Sequence, residues 1–122
     1  MPYAYRKSER LRKNTEFVAA MKGKRLSVDG LSLFYTKNRI GNFRVGISVS
    51  KKLANAVVRN RVRRRIRACI TRVLSEHTQG YDLVFVARQQ LIAADFNRTL
   101  DAVGTLLQRS ALRPQRTGST PS

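Results

Sequence analysis

Acidic residues are scarce in this sequence, and their scarcity is uneven. The chain of 122 residues contains 25 Lys or Arg but only 7 Asp or Glu, which gives a formal net charge of +18. Between Gly30 and Ser75 there are 12 basic residues and no acidic one. A chain this basic repels itself when it is compact, and a polyanion or high salt relieves that repulsion. The regional excess of one charge therefore predicts a nucleic-acid-binding surface.

Other absences narrow the class of protein. No apolar run approaches the roughly 18–20 residues of a membrane span, and the N-terminal stretch MPYAYRKSERLRKN lacks the apolar core of a secretory signal. The single cysteine, Cys69, cannot form a disulfide within the chain, which is typical of a reducing compartment. We therefore expect a cytoplasmic protein with no membrane contact.

The residues that a protein-based nuclease would need are also missing. The acidic residues are scattered without metal-binding spacing, and the only histidine, His77, falls near a predicted helix end. The segment GKR (23–25) lacks the rest of a phosphate-binding glycine loop. We expect neither a catalytic residue nor a metal site in the protein itself.

Local patterns predict one α+β domain over residues 1–112, with a basic arm at 1–13 and a disordered polar tail at 113–122. A short helix between Asn14 and Gly23 precedes strand candidates at 25–28 and 31–37, and IGN (40–42) supplies a turn. Residues 43–50 alternate strictly, with Phe43, Val45, Ile47 and Val49 on one face and Arg44, Gly46, Ser48 and Ser50 on the other.

The second half of the chain predicts helix, strand and helix. Asn55 is a candidate cap for a long helix running to about His77, and the segment 82–88 is apolar on both sides, as in a central strand. Asp95 is a candidate cap for the last helix. The predicted fold is a single-domain α/β sandwich in the order α-β-β-β-α-β-α, with helices covering one sheet face and strands 43–50 and 82–88 parallel.

The long helix combines dense positive charge with a packing surface. The segment Lys51 to Arg72, KKLANAVVRNRVRRRIRACITR, holds nine Lys or Arg and no acid. Its apolar residues still fall on one side of a helix, at Val58, Val62, Ile66, Cys69, Ile70 and Val73. Like charges three or four residues apart each cost about 0.2–0.5 kcal/mol, and cations at a helix N-terminus oppose the helix dipole. Phosphates remove both penalties, so the pattern predicts a polyanion-binding helix.

These residues resemble the bacterial ribonuclease P protein subunit. AVVRNRVRRRIR (56–67), preceded by RVGISVSKK (44–52), is similar to the arginine-asparagine-arginine signature of that family. The resemblance begins at RLRKNTEF (10–17), continues through LFYT (33–36) and reaches YDLVFVAR (81–88). It covers nearly the whole chain in motif order, spacing and length.

The resemblance implies a function. Members of the family bind one large catalytic RNA, and the ribonucleoprotein removes the 5′ leader of precursor tRNA by endonucleolytic cleavage. The active-site Mg²⁺ ions are held mainly by the RNA, so the protein is expected to be a subunit of the enzyme and not catalytic alone. We expect a protein monomer in a 1:1 complex with the RNA. The family also implies a left-handed βαβ crossover, although right-handed crossovers are the general rule.

The resemblance further implies two binding surfaces. The signature helix and its entry would contact the catalytic RNA through Lys51, Lys52, Arg59, Asn60, Arg61, Arg63, Arg64, Arg65 and Arg67. A cleft between the first helix and the sheet would hold the single-stranded leader, with bases stacking on Phe17 and Tyr35 and the backbone approaching Ser48. Met21 stands where the family often has a second aromatic residue. By helical spacing alone, Phe17 and Met21 are equally well explained as core residues.

The composition does not exclude two other classes of nucleic-acid-binding protein. A ribosomal-type, non-enzymatic RNA-binding protein with a small α+β fold would be equally basic. A DNA-binding protein is less favoured, because the long helix follows a strand and lacks the preceding short helix and tight turn of a helix-turn-helix.

Overall fold

A computed structural model describes residues 14–38, 43–73 and 80–110, and for residues 14–17 it describes the backbone alone. Within these ranges the elements are α1 (Asn14–Met21), β1 (Lys24–Val28), β2 (Leu31–Lys37), β3 (Arg44–Val49), α2 (Ala56–Val73), β4 (Tyr81–Ala87), α3 (Gln89–Ile92) and α4 (Phe96–Arg109). This is the predicted order with the four-residue α3 added. The predicted arm, the turn at 40–42, the helix end near His77 and the polar tail lie outside the described residues.

The four strands form one mixed sheet in the order β1-β2-β4-β3. β2 pairs with β1 and with β4 in antiparallel fashion, whereas β3 and β4 are parallel. The predicted parallel pair and the central position of β4 are both confirmed, and a mixed α+β domain results. The hand of the β3-α2-β4 crossover stays a prediction.

The β1-β2 hairpin turns tightly at Asp29 and Gly30. Both residues have positive φ, 52° and 83° respectively, which is the conformation that a two-residue hairpin turn requires. A Cβ at Gly30 would lie 2.9 Å from both Gln90 Cβ and Leu91 N. The backbone N–H of Arg88 also donates to Gly30 O at 2.8 Å. The hairpin tip is therefore packed directly against α3.

The sheet is packed on both faces. On one face, called here the core face, Leu33 and Phe85 join the main core with residues of α2 and α4. On the other, called the α1 face, Ala20 packs with Val84 and Phe34. The prediction that helices cover one sheet face is therefore wrong for α1. The physical reason is that β4 is apolar on both sides and needs cover on both.

A buried ion pair lies on the α1 face where β4 begins. Asp82 is only 5% exposed, and it accepts hydrogen bonds from Arg44 Nε at 2.9 Å and Arg44 Nη2 at 2.8 Å. Asn38 Nδ2 donates to the same carboxylate at 2.8 Å. A buried carboxylate needs such partners to offset its lost hydration. Asp82 therefore has a structural task, joining β3, β4 and the end of β2.

No helix within residues 14–38, 43–73 and 80–110 is both long enough and apolar enough to cross a membrane.

Candidate nucleic-acid interface

The N-terminal end of α2 combines positive side chains with the positive end of the helix dipole. Asn55 Oδ1 accepts a hydrogen bond from the backbone N–H of Val58 at 2.9 Å, which confirms the predicted cap. Lys51 and Lys52 are exposed in the preceding turn, and the Lys52 backbone N–H donates to Ser50 Oγ at 3.2 Å. The first turn of α2 contains no acidic residue. The dipole and the two ammonium groups thus favour an anion at this end.

The predicted apolar stripe of α2 is confirmed. Val62, Ile66, Cys69 and Ile70 are buried, and Val58 and Val73 pack against the same core while partly buried. Burial raises the pKa of the Cys69 thiol to about 11, so the thiol stays neutral near pH 7 and serves packing rather than reactivity. This stripe fixes α2 to the rest of the domain.

Most of the predicted RNA-binding side chains lie on the exposed side of the same helix. Asn60, Arg61 and Arg64 are exposed, and Arg59, Arg63 and Arg67 are partly exposed. Arg63 Nη1 donates to Asn60 Oδ1 at 2.7 Å, so these two side chains hold each other without a carboxylate. Together with the two lysines they are called here the basic face, made of Lys51, Lys52, Arg59, Asn60, Arg61, Arg63, Arg64 and Arg67.

One buried donor of the basic face has no acceptor among the described residues. Arg59 Nε is shielded from solvent and has no hydrogen-bond partner in the part of the chain that the structure describes. An unsatisfied buried donor costs about 1–3 kcal/mol, and such groups are rare in native proteins. A phosphate oxygen is a suitable acceptor for this guanidinium N–H.

Three carboxylates of the described residues are used elsewhere in the fold. Asp82 binds Arg44, and Asp29 binds Arg98 at 2.6 Å. The hydrogen bonds from Arg98 hold the pKa of Asp29 below its ordinary value. Asp95 caps α4 by accepting from the Arg98 backbone N–H at 2.8 Å, as predicted. None of these three contacts neutralises a cation of the basic face.

Arg65, predicted to bind RNA, points toward α3 and α4 instead of joining the basic face. Its Nη2 donates to the backbone oxygen of Leu91 at 2.6 Å, and its Nε donates to Thr99 Oγ1 at 3.1 Å. Burial lowers the pKa of this guanidinium. The run RRR (63–65) contains no local signal for this difference, because the partners of Arg65 lie 26 and 34 residues further along the chain.

The residues predicted to hold a leader do not lie on one surface. Tyr35 is on the core face, where its ring centroid is 6.5 Å from that of Tyr81. Ser48 pairs with Val86 on the α1 face. Met21 is 42% exposed on α1, and the side chain of Phe17 lies outside the described residues. The structure therefore separates Tyr35 from Ser48.

Tyr35 lines an open cleft where β2 ends and β4 begins. The cleft has a volume of about 280 Å³ and is called here the tyrosine cleft, with Gly23, Lys24, Tyr35, Thr36, Lys37, Tyr81 and Ser110 as its lining. Lys24 and Lys37 are exposed, so the cleft offers two aromatic rings and two cations. Neither Tyr81 nor the two lysines were predicted from the sequence as binding residues. The β2-β4 register that pairs Lys37 with Tyr81 has no local signal.

The α1 face has an aromatic residue of its own, Phe34, which the sequence analysis did not single out. The guanidinium carbon of Arg25 lies 5.7 Å from the Phe34 ring centroid. Adjacent residues of a strand point to opposite faces, so Phe34 and Tyr35 cannot belong to the same surface. Combined with the register of β2, β4 and β3, this alternation places Tyr35 and Ser48 on opposite sheet faces.

Similarity to known proteins extends over most of the chain. The profile of the Ribonuclease P family matches residues 5–111. The ribonuclease P protein component of Clostridium novyi (strain NT) is 42% identical over 110 residues, which is 88% of this chain and 97% of that protein. The corresponding protein of Thermoanaerobacter sp. (strain X514) is 35% identical over 108 residues, covering 88% of this chain and 93% of its own.

Solved structures agree with the sequence comparisons. The RNase P protein of Staphylococcus aureus gives a TM-score of 0.79 at 31% identity and covers 88% of this chain and 100% of that chain. The RNase P protein from Thermotoga maritima gives 0.72 at 30% identity, covering 83% and 96%. The ribosomal-type alternative is not favoured by these relatives. The chain belongs to the bacterial ribonuclease P protein family, whose members are subunits of an endoribonuclease in which catalysis lies in the RNA.

Proposed function

We propose that the protein binds the catalytic RNA of ribonuclease P through the basic face and so assists removal of the 5′ leader from precursor tRNA. The observation that carries this proposal is the division of α2 into a buried apolar stripe and an exposed row of cations. A helix fixed on one side displays its arginines at constant spacing, and a planar guanidinium binds phosphate oxygens in pairs. We also propose that one protein binds one RNA and that the complex is cytoplasmic. We further propose that the βαβ crossover is left-handed.

The proposal leaves the chemistry to the RNA. Among the residues that the structure describes, no three His, Cys, Asp or Glu side chains are grouped so that they could hold a metal ion. We propose that the Mg²⁺ ions of the reaction are held mainly by RNA, because catalysis in this family lies in the RNA. The protein then contributes charge neutralisation and positioning, because its arginines reduce the repulsion between two polyanions.

The tyrosine cleft is the better supported place for a leader base. Two aromatic rings accept bases by stacking without regard to sequence, and Lys24 and Lys37 flank them. Gly23 of the cleft follows α1, but α1 itself covers the opposite sheet face, so Phe17 and Met21 remain leader candidates on the α1 face. Ser48 lies on the opposite sheet face, the α1 face, and the variant Ser48→Ala tests that alternative.

The decisive experiment is reconstitution with a candidate catalytic RNA at low Mg²⁺ concentration. Leader removal from precursor tRNA is scored with and without the protein, and the protein alone is assayed in parallel. We expect the protein to raise the rate at low Mg²⁺ and to cut nothing by itself. Recovery of ribosomal RNA, instead of one small structured RNA, with the protein from cells would contradict the proposal.

Removing one exposed cation should weaken RNA assembly without changing the fold. For Arg61→Ala we expect a loss of about tenfold in affinity for the catalytic RNA, because one charged contact to phosphate disappears. Arg59→Ala should act in the same direction. The measurement is a filter-binding titration together with a thermal melt. Arg109→Ala, exposed on α4, is the matched control, and equal losses in the two variants would contradict the assignment.

Removing the Tyr35 ring should affect precursor tRNA more than mature tRNA. For Tyr35→Ala we expect about a tenfold loss in affinity of the holoenzyme for precursor tRNA, since one base loses its stacking partner, and little change for mature tRNA. Phe17→Ala should also discriminate between the two substrates. Tyr35→Phe keeps the ring and is the control. A selective loss in Ser48→Ala but not in Tyr35→Ala would place the leader on the α1 face.

A further inference from the structure

One flank of α2 contacts the segment that runs from α3 into α4. Arg65, Cys69 and Arg72 follow each other at steps of four and three, so they share one side of the helix. Arg65 reaches Leu91 O, the Cys69 thiol donates to Phe96 O at 3.8 Å, and the Arg72 guanidinium carbon lies 5.1 Å from the Phe96 ring centroid. These contacts are called here the seam.

Arg65 makes the shortest contacts of the seam. α3 has only four residues, and Leu91 O already accepts a hydrogen bond from the backbone N–H of Ala94 at 3.1 Å, so Arg65 adds a side-chain donor to this carbonyl. Arg65 Nη2 donates to Leu91 O at 2.6 Å and lies 3.4 Å from Ile92 O. Its Nε donates at 3.1 Å to the hydroxyl of Thr99, which is fully buried.

The partner of Arg65 on α4 is itself held in place. The Thr99 hydroxyl donates to Asp95 O at 2.8 Å, so the oxygen that accepts from Arg65 is oriented by the start of α4. One guanidinium thus connects the end of α3 with the first turn of α4. A planar fork makes both contacts at once, whereas a lysine ammonium at the same place has a different donor geometry.

We propose that Arg65 is a positioning residue, which binds α3 and α4 instead of RNA and thereby sets where the basic face stands on the domain. The inference rests on the proposed function, because a positioned basic face matters only if it meets an RNA surface. On this proposal the three arginines of the RRR run (63–65) have two different roles. Arg63 and Arg64 belong to the basic face, and Arg65 belongs to the seam.

The test compares Arg65→Met with Arg64→Met. In both variants a methionine keeps an apolar side chain and removes the guanidinium group. For Arg65→Met we expect the melting temperature without RNA to fall by on the order of 10 °C. Its affinity for the catalytic RNA, measured well below that temperature, should fall severalfold with an unchanged salt slope. For Arg64→Met we expect an unchanged melting temperature and a salt slope smaller by about one unit.

A double-mutant cycle isolates the contact. The melting-temperature losses of Arg65→Met and Thr99→Val should not add, because both variants remove the same hydrogen bond. If Arg65→Met fails to fold, Arg65→Lys keeps the charge and the stem, and it should show a smaller loss with the salt slope still unchanged.

Other outcomes would overturn the proposal. A reduced salt slope with an unchanged melting temperature in either Arg65 variant would show that Arg65 contacts RNA. A lowered melting temperature with unchanged RNA affinity would leave Arg65 a role in stability alone. If Arg64→Met also leaves RNA affinity and salt slope unchanged, the basic face is not the RNA surface. That last result is the one that identifies a failure of the proposed function.

Discussion

Raising the salt concentration from about 50 to about 200 mM should weaken binding of the protein to the catalytic RNA about a thousandfold. Each cation that neutralises a phosphate releases condensed counterions, and the affinity falls with a slope of about 0.9 per phosphate in a logarithmic plot. The basic face has seven Lys or Arg, and about six contacts give this magnitude. The measurement is a series of binding titrations across the salt range.

Variants of single arginines test whether the salt dependence arises from the basic face. Arg61→Ala should lower the slope by about one unit because one phosphate contact is lost, whereas Arg109→Ala should leave it unchanged. A flat salt response of the unaltered protein would rule out the basic face as the main RNA surface. Affinities at a single salt concentration would not distinguish these cases.

Introducing a charge at Ile66 should unfold the domain. Ile66 is fully buried in the stripe of α2. Loss of its side chain alone costs about 2–5 kcal/mol, and a buried carboxylate adds a further penalty unless it takes up a proton. Domains of this kind have a total stability of only about 5–15 kcal/mol. We therefore expect Ile66→Asp to show no cooperative thermal transition by circular dichroism.

Two further substitutions serve as controls for Ile66→Asp. Ile66→Val should cost only about 0.5–1.5 kcal/mol and keep a cooperative melt. Arg64→Asp places the same carboxylate on the exposed side of the same helix, so we expect it to fold normally and to lose RNA affinity. A cooperative melt of Ile66→Asp near the temperature of the unaltered protein would show that the stripe does not hold α2 in place.

Local sequence patterns predicted most of the fold because they record contacts between near neighbours. The alternation of residues 43–50 located β3, and the helical stripe located α2. Asn55 and Asp95 were predicted as caps, and both accept the expected backbone hydrogen bonds. The apolar segment 82–88 was correctly predicted to lie inside the sheet, where β4 pairs on both sides.

The features that could not be predicted depend on contacts between distant segments. The position of α1 on the second sheet face follows from β4 being buried on both sides. The separation of Tyr35 from Ser48 follows from a register of three strands. Arg65 differs from Arg63 and Arg64 only through partners on α3 and α4. Charge density alone treats all three arginines as equivalent.

The hairpin at Gly30 is distant in sequence from the basic face, the proposed RNA surface, but a chain of packing contacts connects the two. A side chain at Gly30 would press on Gln90 and on the backbone of Leu91, and Leu91 O is the acceptor that Arg65 binds. The turn therefore packs against α3, and α3 in turn accepts the hydrogen bond that holds Arg65 of α2. We expect a substitution at this turn to displace the helix that is proposed to bind RNA, so a defect in ribonucleoprotein assembly would originate in a residue outside the proposed RNA surface.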